Sequence, residues 1–448
     1  MTKLFAEAAL LPSGVAQDVL VSFTGGQIVS VETGARPADA DERYSFLAPA
    51  ISNLHSHAFQ RAMSGLAERR GQGDDTFWSW RTIMYKLALT MTPDDVEAIA
   101  SQLYVEMLEA GFCRVGEFHY LHHDKDGVAY DNIAEMGERI AAASAEAGIG
   151  LTLLPVFYAH GGFGPVAPGA DQRRFINSID SFAQLMAASR KAVAGLDGGR
   201  VGIAPHSLRA ATIDDIRTIL PLAETGPVHI HVAEQVLEVE ACLEAHGARP
   251  VEMLLDAVTV DERWCLIHAT HLDEREIAGI ARSGAVAGLC PITEANLGDG
   301  IFPGVDLLAA GGVIGVGSDS NVSISVRGEL QQFEYSQRLG RRIRNAVAVP
   351  GGSTGEALLA HAGAGGAQAL GWASGIAGGM PADLVSLDVS RVGYMSSQQQ
   401  LDAWIFGDDV RVQDVWVMGR KRVAGGRHER TDAVRARFSR VMERLLSA

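Results

Sequence analysis

The stretch Asn53-Leu54-His55-Ser56-His57 sets two histidines two residues apart at the end of a short apolar run. In extended chain, residues i and i+2 point to the same face, so His55 and His57 aim two imidazoles at one point. Imidazole is a common zinc ligand, and a catalytic zinc takes three protein ligands and a water. The pair therefore asks for a third and fourth donor elsewhere in the chain, brought to the same place by the fold.

Reading outward from it, short apolar runs alternate with longer segments of helical period from about Leu47 to Leu370. The runs end near Leu54, Phe118, Phe157, Ala204, Ile230, Ile267, Leu289 and Val316, and segments such as PDDVEAIASQLYVEMLEAG and DEREIAGIARSG fall between them. Eight β/α units in this length predict an α/β protein built on a closed parallel (β/α)8 TIM barrel. A doubly wound open sheet is the alternative. Before the barrel, VLVSF and QIVSV flank Thr24-Gly25-Gly26, a hairpin pattern with the turn glycines it needs. After about Gly378 strand patterns return as ADLVSLD, LDAWIF, VQDVWVMG and KRVAGG. The expected organisation is a small β-sandwich domain from residues 1–46 and 378–428, a metal-dependent barrel over 47–377, and a terminal helix over 429–448.

Composition narrows the function. A formal net charge of -16 argues against a nucleic-acid surface, which needs clustered Lys and Arg. It also requires that any anionic substrate be captured by local cations. The four cysteines, Cys113, Cys242, Cys265 and Cys290, form no CxxC pair and read as buried thiols of a reducing compartment. No run of about 20 apolar residues offers a membrane span, and Glu7 interrupts the apolar N-terminus. A cytoplasmic enzyme is expected, and a homodimer, because two-fold pairs are the commonest oligomers.

Three further strand ends carry chemistry. Val228-His229-Ile230-His231-Val232-Ala233-Glu234 puts His231 at the carboxyl end of the fifth strand and Glu234 on the loop after it. His229 shares a face with His231 but lies deeper, and reads as structural. Leu266-Ile267-His268 closes the sixth strand, and Gly315-Val316-Gly317-Ser318-Asp319 closes the eighth. Any one of these alone reads as a core histidine or a helix-capping aspartate. Together they place His or Asp at the active-site end of four strands, where barrel enzymes build their sites.

That ordered set resembles the amidohydrolase superfamily over nearly the whole chain. The resemblance implies that His55, His57, His231 and Asp319 hold the metal, that His268 assists catalysis and that Glu234 shuttles protons. Superfamily members with two metals use a carboxylated lysine or a glutamate on the fourth strand; Val201-Gly202-Ile203-Ala204-Pro205-His206 has neither. One Zn²⁺ per subunit is implied, though nitrogen and carboxylate ligands also admit Fe²⁺. The segments NLHSHAFQRAMSGLAERRG, DTFWSWR, VGEFHYLHHD and APHSLRA are similar to the N-formimino-L-glutamate deiminase family. That resemblance implies hydrolysis of N-formimino-L-glutamate in histidine degradation, with Gln60, Arg81, Tyr120, His206 and Arg209 as substrate contacts.

The residue types agree with such a substrate. Its carboxylates suit the guanidinium forks of Arg81 and Arg209, and Gln60 and Tyr120 can hydrogen-bond it. Phe77, Trp78 and Trp80 make the loop over 74–86 aromatic, as a water-excluding lid or a packed loop would be. Arg69 and Arg70 read as solvated charges. A deaminase of guanine, cytosine or an adenosine-like ring would share the metal set but would use aromatic stacking more than paired arginines. A non-catalytic scaffold would have no use for a full ligand set beside Glu234.

Overall fold

The computed structural model describes residues 1–68 and 77–447, with side chains from Trp80 onward in the second stretch. Arg69, Arg70 and the side chains of Phe77 and Trp78 lie outside it. All eight expected strands are present: Ile51–Ser56, Phe112–His119, Gly150–Phe157, the two-piece Arg200–Val201 and Ala204–Pro205, Val228–Val232, Trp264–His268, Val286–Leu289 and Val313–Val316. Consecutive strands pair in parallel. Bridges between Ile203 and Val228 and between Ser56 and Asp319 join the two halves. The ring is closed, which excludes the open sheet. Every strand residue from Ile51 to Ser56 and from Phe112 to His119 is buried, as expected where helices cover a parallel sheet.

Where the fourth strand is broken, its backbone is crowded. A methyl group at Gly202 would stand 2.4 Å from the Pro227 carbonyl oxygen, so only glycine lets the neighbouring chain pass. The same logic acts at Gly317, where a methyl group would lie 2.7 Å from the His55 nitrogen. The eighth strand can therefore press against the first at the end where the chemistry lies.

Both chain ends join in one eight-stranded sheet, in which Glu42–Pro49 lies between Thr2–Leu11 and Leu384–Asp388. Thr2–Leu11 also pairs with Gly14–Thr24, and Arg411–Val417 with Leu384–Asp388. The expected union of the termini is thus a continuous hydrogen-bonded path. Its strands alternate between two apolar sets. Ala8, Phe46, Ala48, Val385 and Leu387 join the main core. Leu4, Ala6, Val21, Leu47, Leu384 and Trp416 form a smaller one. LDAWIF was expected to be a strand, but Ser397–Phe406 is helical. Ser396 caps it by accepting from the Gln399 N–H, and a side-chain cap at that position favours helix over strand.

One expectation about the first long connection is corrected. The segment read as an aromatic loop over 74–86 is an α-helix from Phe77 to Ala88. Trp80, Arg81, Met84 and Tyr85 are spaced i, i+1, i+4 and i+5, so they share one helical face, and all four line the central cavity. The terminal segment is helical over Thr431–Ser447 and packs on Pro93–Glu109, where Thr431 donates to Glu109 and Arg444 pairs with Asp95.

Candidate metal centre and active site

At the carboxyl end of the strands, His55, His57, His231 and Asp319 bring one donor atom each within 4.8 Å of the others, all four residues buried. The Nε2 atoms of His55 and His57 are 3.2 Å apart, and those of His55 and His231 are 3.1 Å apart. Asp319 Oδ1 lies 3.3 Å from His55 Nε2 and 3.1 Å from His57 Nε2. Nδ1 of His57 lies 2.9 Å from the Phe118 carbonyl, and Nδ1 of His231 lies 3.0 Å from that of His206. Carbonyls accept, so both Nδ1 atoms carry the proton and both Nε2 atoms present lone pairs. Converging lone pairs repel unless a cation sits among them, and outer carbonyls of this kind commonly fix the tautomer of a metal-binding histidine. The donor set fits a divalent metal on these grounds.

Burial sets the charge states. It pushes His55 down to about 3 and holds His231 well below the ordinary histidine range. Both are thereby kept in the neutral form a metal requires. Burial pushes the Asp319 carboxyl up, but the polar neighbours His55 and His57 outweigh it and leave the group well below the carboxylate range.

His268 is one step further out. Its Nδ1 is 3.3 Å from Glu294 Oε1, and its Nε2 is 3.7 Å from Glu234 Oε1 and 3.9 Å from Asp319 Oδ2. Burial pulls this imidazole down, yet the charges of Glu234, Glu294 and Asp319 together drive it up to about 10. Glu234 is raised, chiefly by burial, against the pull of His268 and Arg209. A carboxyl lifted in this way sits nearer to neutrality, as proton-transfer groups do. The loop ends are strained to achieve this. Ala233, His268 and Asp319 all have positive φ, at 52°, 66° and 45°, a region non-glycine residues seldom occupy.

A cavity of about 510 Å³ opens above these groups. All five expected contacts, Gln60, Arg81, Tyr120, His206 and Arg209, line it, together with His57, His231, Glu234, His268 and Asp319. Gln60 donates to the Tyr120 hydroxyl at 2.8 Å, while its own Oε1 is buried without a partner. Arg209 lies 3.9 Å from Glu238 through Nε, and Glu238 accepts the Glu234 backbone N–H at 3.1 Å. Arg81 reaches the Tyr158 hydroxyl at 3.4 Å. His229, as expected, stays out of the site and pairs with the Ala369 carbonyl at 2.7 Å.

Several residues of the site escaped the sequence reading. Tyr85, Tyr158, Phe163 and Phe175 complete its aromatic wall. Glu238 and Glu294 brace Arg209 and His268. Asn53 holds Ser318 through a 3.0 Å bond to its N–H, and Asn321 donates to the carbonyls of His57 and Asp319. A signal was present for the glutamates. Each lies four residues from a loop residue whose N–H it accepts, Glu238 from Glu234 and Glu294 from Cys290.

A closed barrel with this donor set defines a class of metal-dependent hydrolases, and the chain belongs to the amidohydrolase family, whose model matches residues 46–422. Residues 1–45 match a second one, described as the N-terminal domain of formimidoylglutamate deiminase HutF. Formimidoylglutamate deiminase of Pseudomonas aeruginosa is 47% identical over 454 residues, covering 100% of both chains. An amidohydrolase crystal structure from Brucella melitensis is 54% identical, with a TM-score of 0.97 and full coverage of both chains. An adenosine deaminase from Xanthomonas campestris with bound zinc shares the fold at a TM-score of 0.83 and 22% identity, over 100% of this chain and 99% of its own.

Proposed function

We propose that this enzyme hydrolyses N-formimino-L-glutamate to N-formyl-L-glutamate and ammonia, a C–N hydrolase step of histidine degradation. Full-length kinship with the Pseudomonas aeruginosa enzyme supports the substrate. The single observation that carries the chemistry is one cavity lined by His57, His231 and Asp319 of the convergent group and by two arginines.

His55, His57, His231 and Asp319 would hold one metal ion, and three nitrogens with a carboxylate suit Zn²⁺. When bound, that cation supplies Lewis-acid activation of water at neutral pH. The remaining work falls to side chains. Arg209 and Arg81 take the substrate carboxylates as charge-assisted pairs. Gln60, Tyr120 and His206 orient the chain between them. Water adds to the formimino carbon. Asp319 accepts a proton released from that water. Glu234 protonates the imino nitrogen and then delivers a proton to the departing ammonia, so the C–N bond breaks as the new carbonyl forms. His268 balances negative charge developing at the reacting carbon's oxygen. The aromatic wall excludes bulk water, which strengthens each of these interactions.

The division into a β-domain of 1–46 with 378–428, a barrel of 47–377 and a terminal helix of 429–448 is part of the same reading, as are a homodimer and a cytoplasmic location. No helix among the described residues is long and apolar enough to cross a membrane. The test is ammonia release from N-formimino-L-glutamate set beside guanine, cytosine and adenosine. Turnover confined to the nucleobases or nucleoside would overturn the substrate, and turnover of none by metal-loaded protein would overturn the activity.

A further inference from the structure

Asp299 lies just beyond the helix Pro291–Leu297, is 5% exposed, and does not line the cavity. One of its carboxylate oxygens nevertheless lies within 4.8 Å of an oxygen of Glu234 and of a ring nitrogen of His268. Three contacts fix it there. Its Oδ1 accepts from the Gln235 side chain, its backbone N–H donates to the Glu294 carbonyl at 3.0 Å, and its carbonyl accepts from His271 Nε2 at 2.9 Å. Its Oδ2 is buried with no partner. A buried carboxylate oxygen without a donor is costly, and a carboxyl that keeps its proton removes the charge and supplies a donor instead.

We propose that Asp299 is a positioning residue for Glu234, standing behind it so that the two acids, within 4.8 Å of each other, share one proton. The geometry is that of two acids too close and too dry to ionise together. Asp299 is the member that keeps the proton: burial, then the charge of Glu234, push it up to about 9, with Glu294 and Asp319 adding to the rise and His268 opposing it. Glu234 is then left as the partner that gives and takes protons at the cavity, with no second negative charge behind it. Gln235 holds Asp299 in place without supplying charge. The inference rests on the role proposed for Glu234.

The experiment compares Asp299→Ala and Asp299→Asn with the parent, all metal-loaded, across pH 6 to 10. Asp299→Ala should lower kcat about tenfold with KM within about threefold, because a proton-transfer group is loosened and no substrate contact is removed. Asp299→Asn mimics the neutral acid, so it should recover most of that loss. It should also move the fall in kcat on the alkaline side upward from near pH 9, leaving only the limb that His268, driven up to about 10, supplies. Infrared difference spectra between pH 7 and pH 10 should show one protonated-carboxyl band fewer in Asp299→Asn, and metal content should equal the parent's in both variants. A purely structural anchor would leave the alkaline limb in Asp299→Asn unmoved. That result, or an unchanged infrared band, or full kcat in Asp299→Ala, overturns the proposal. Failure of the Glu234 role itself is read separately, from the activity of Glu234→Gln.

Discussion

Asp319 and His55 are joined backbone to backbone: the Asp319 N–H donates to the His55 carbonyl at 3.0 Å, and the Asp319 carbonyl accepts the His57 N–H at 3.0 Å. These bonds belong to the seam where the first and eighth strands close the barrel. Three of the four convergent donors sit on that seam, so closing the ring and assembling the donor set are one event. His231 enters from the opposite half, carried by a chain that bridges Ser207.

Metal removal should therefore cost stability as well as activity. A ligand held by the folded state alone stabilises it by about 4 kcal/mol at a thousand times its dissociation constant. Chelator-treated protein is expected to lose turnover and to melt at a lower temperature, with zinc restoring both. Asp319→Ala should show little bound metal by elemental analysis and should melt like the chelated parent. A chelated protein with full turnover and an unmoved melting curve would remove the metal from the mechanism.

Glu234→Gln separates the proton path from the donor set. Glu234 is not among the four convergent residues, and glutamine preserves its shape. Metal content should stay at the parent's level while kcat falls about a hundredfold or more, the usual worth of a placed acid–base group. Near-parental turnover in that variant would assign the proton path elsewhere.

Much of this was legible in the sequence because strand ends are local. An HxH pattern, a histidine ending each of two apolar runs and an aspartate ending a glycine-rich one need only the period-two rule and a barrel to meet. The order of strands then fixes which end of the barrel they share. What the sequence hid depends on tertiary contact. The helix Phe77–Ala88 read as a loop because its aromatic residues form a stripe whose partner is a cavity wall. Ser397–Phe406 read as a strand because LDAWIF is apolar and its cap lies upstream of it. Glu238, Glu294 and Asp299 went unmarked, because only the loops folding over them bury them.

Arg209 is the residue on which recognition of an anionic substrate turns. Its side chain is 15% exposed, and burial pulls its guanidinium down while Glu238 and Glu234 more than restore it. Lysine would keep the charge but offer a single point where a planar fork is needed. Arg209→Lys is expected to lower kcat/KM for N-formimino-L-glutamate about a hundredfold, with most of the change in KM. Formamidine, which has no carboxylate, should be hydrolysed equally by both forms, and steady-state kinetics on the two substrates test this. An equal loss on both would move Arg209 from recognition to chemistry or folding.

His119 gives a stability test that removes none of the groups proposed for catalysis or binding. It closes the second barrel strand, is 4% exposed, and its Nε2 has no partner. Burial, reinforced by His57, holds it down to about 3, whereas an unfolded chain titrates near about 6.5. Below that value the unfolded state binds a proton that the folded state refuses, so stability is full above about 6.5 and is lost as pH falls toward 3. Between pH 7.5 and 5.5 this one group should remove about 1.4 kcal/mol from the free energy of unfolding. His122 and His123 are also lowered by burial and add to the same trend, so the parent's loss will be larger than one histidine explains. His119→Gln cannot titrate. Its urea-unfolding free energy should drop by about 1.4 kcal/mol less than the parent's over that interval, whatever its own starting stability. Equal losses would mean that the folded barrel admits a charged imidazole at this position.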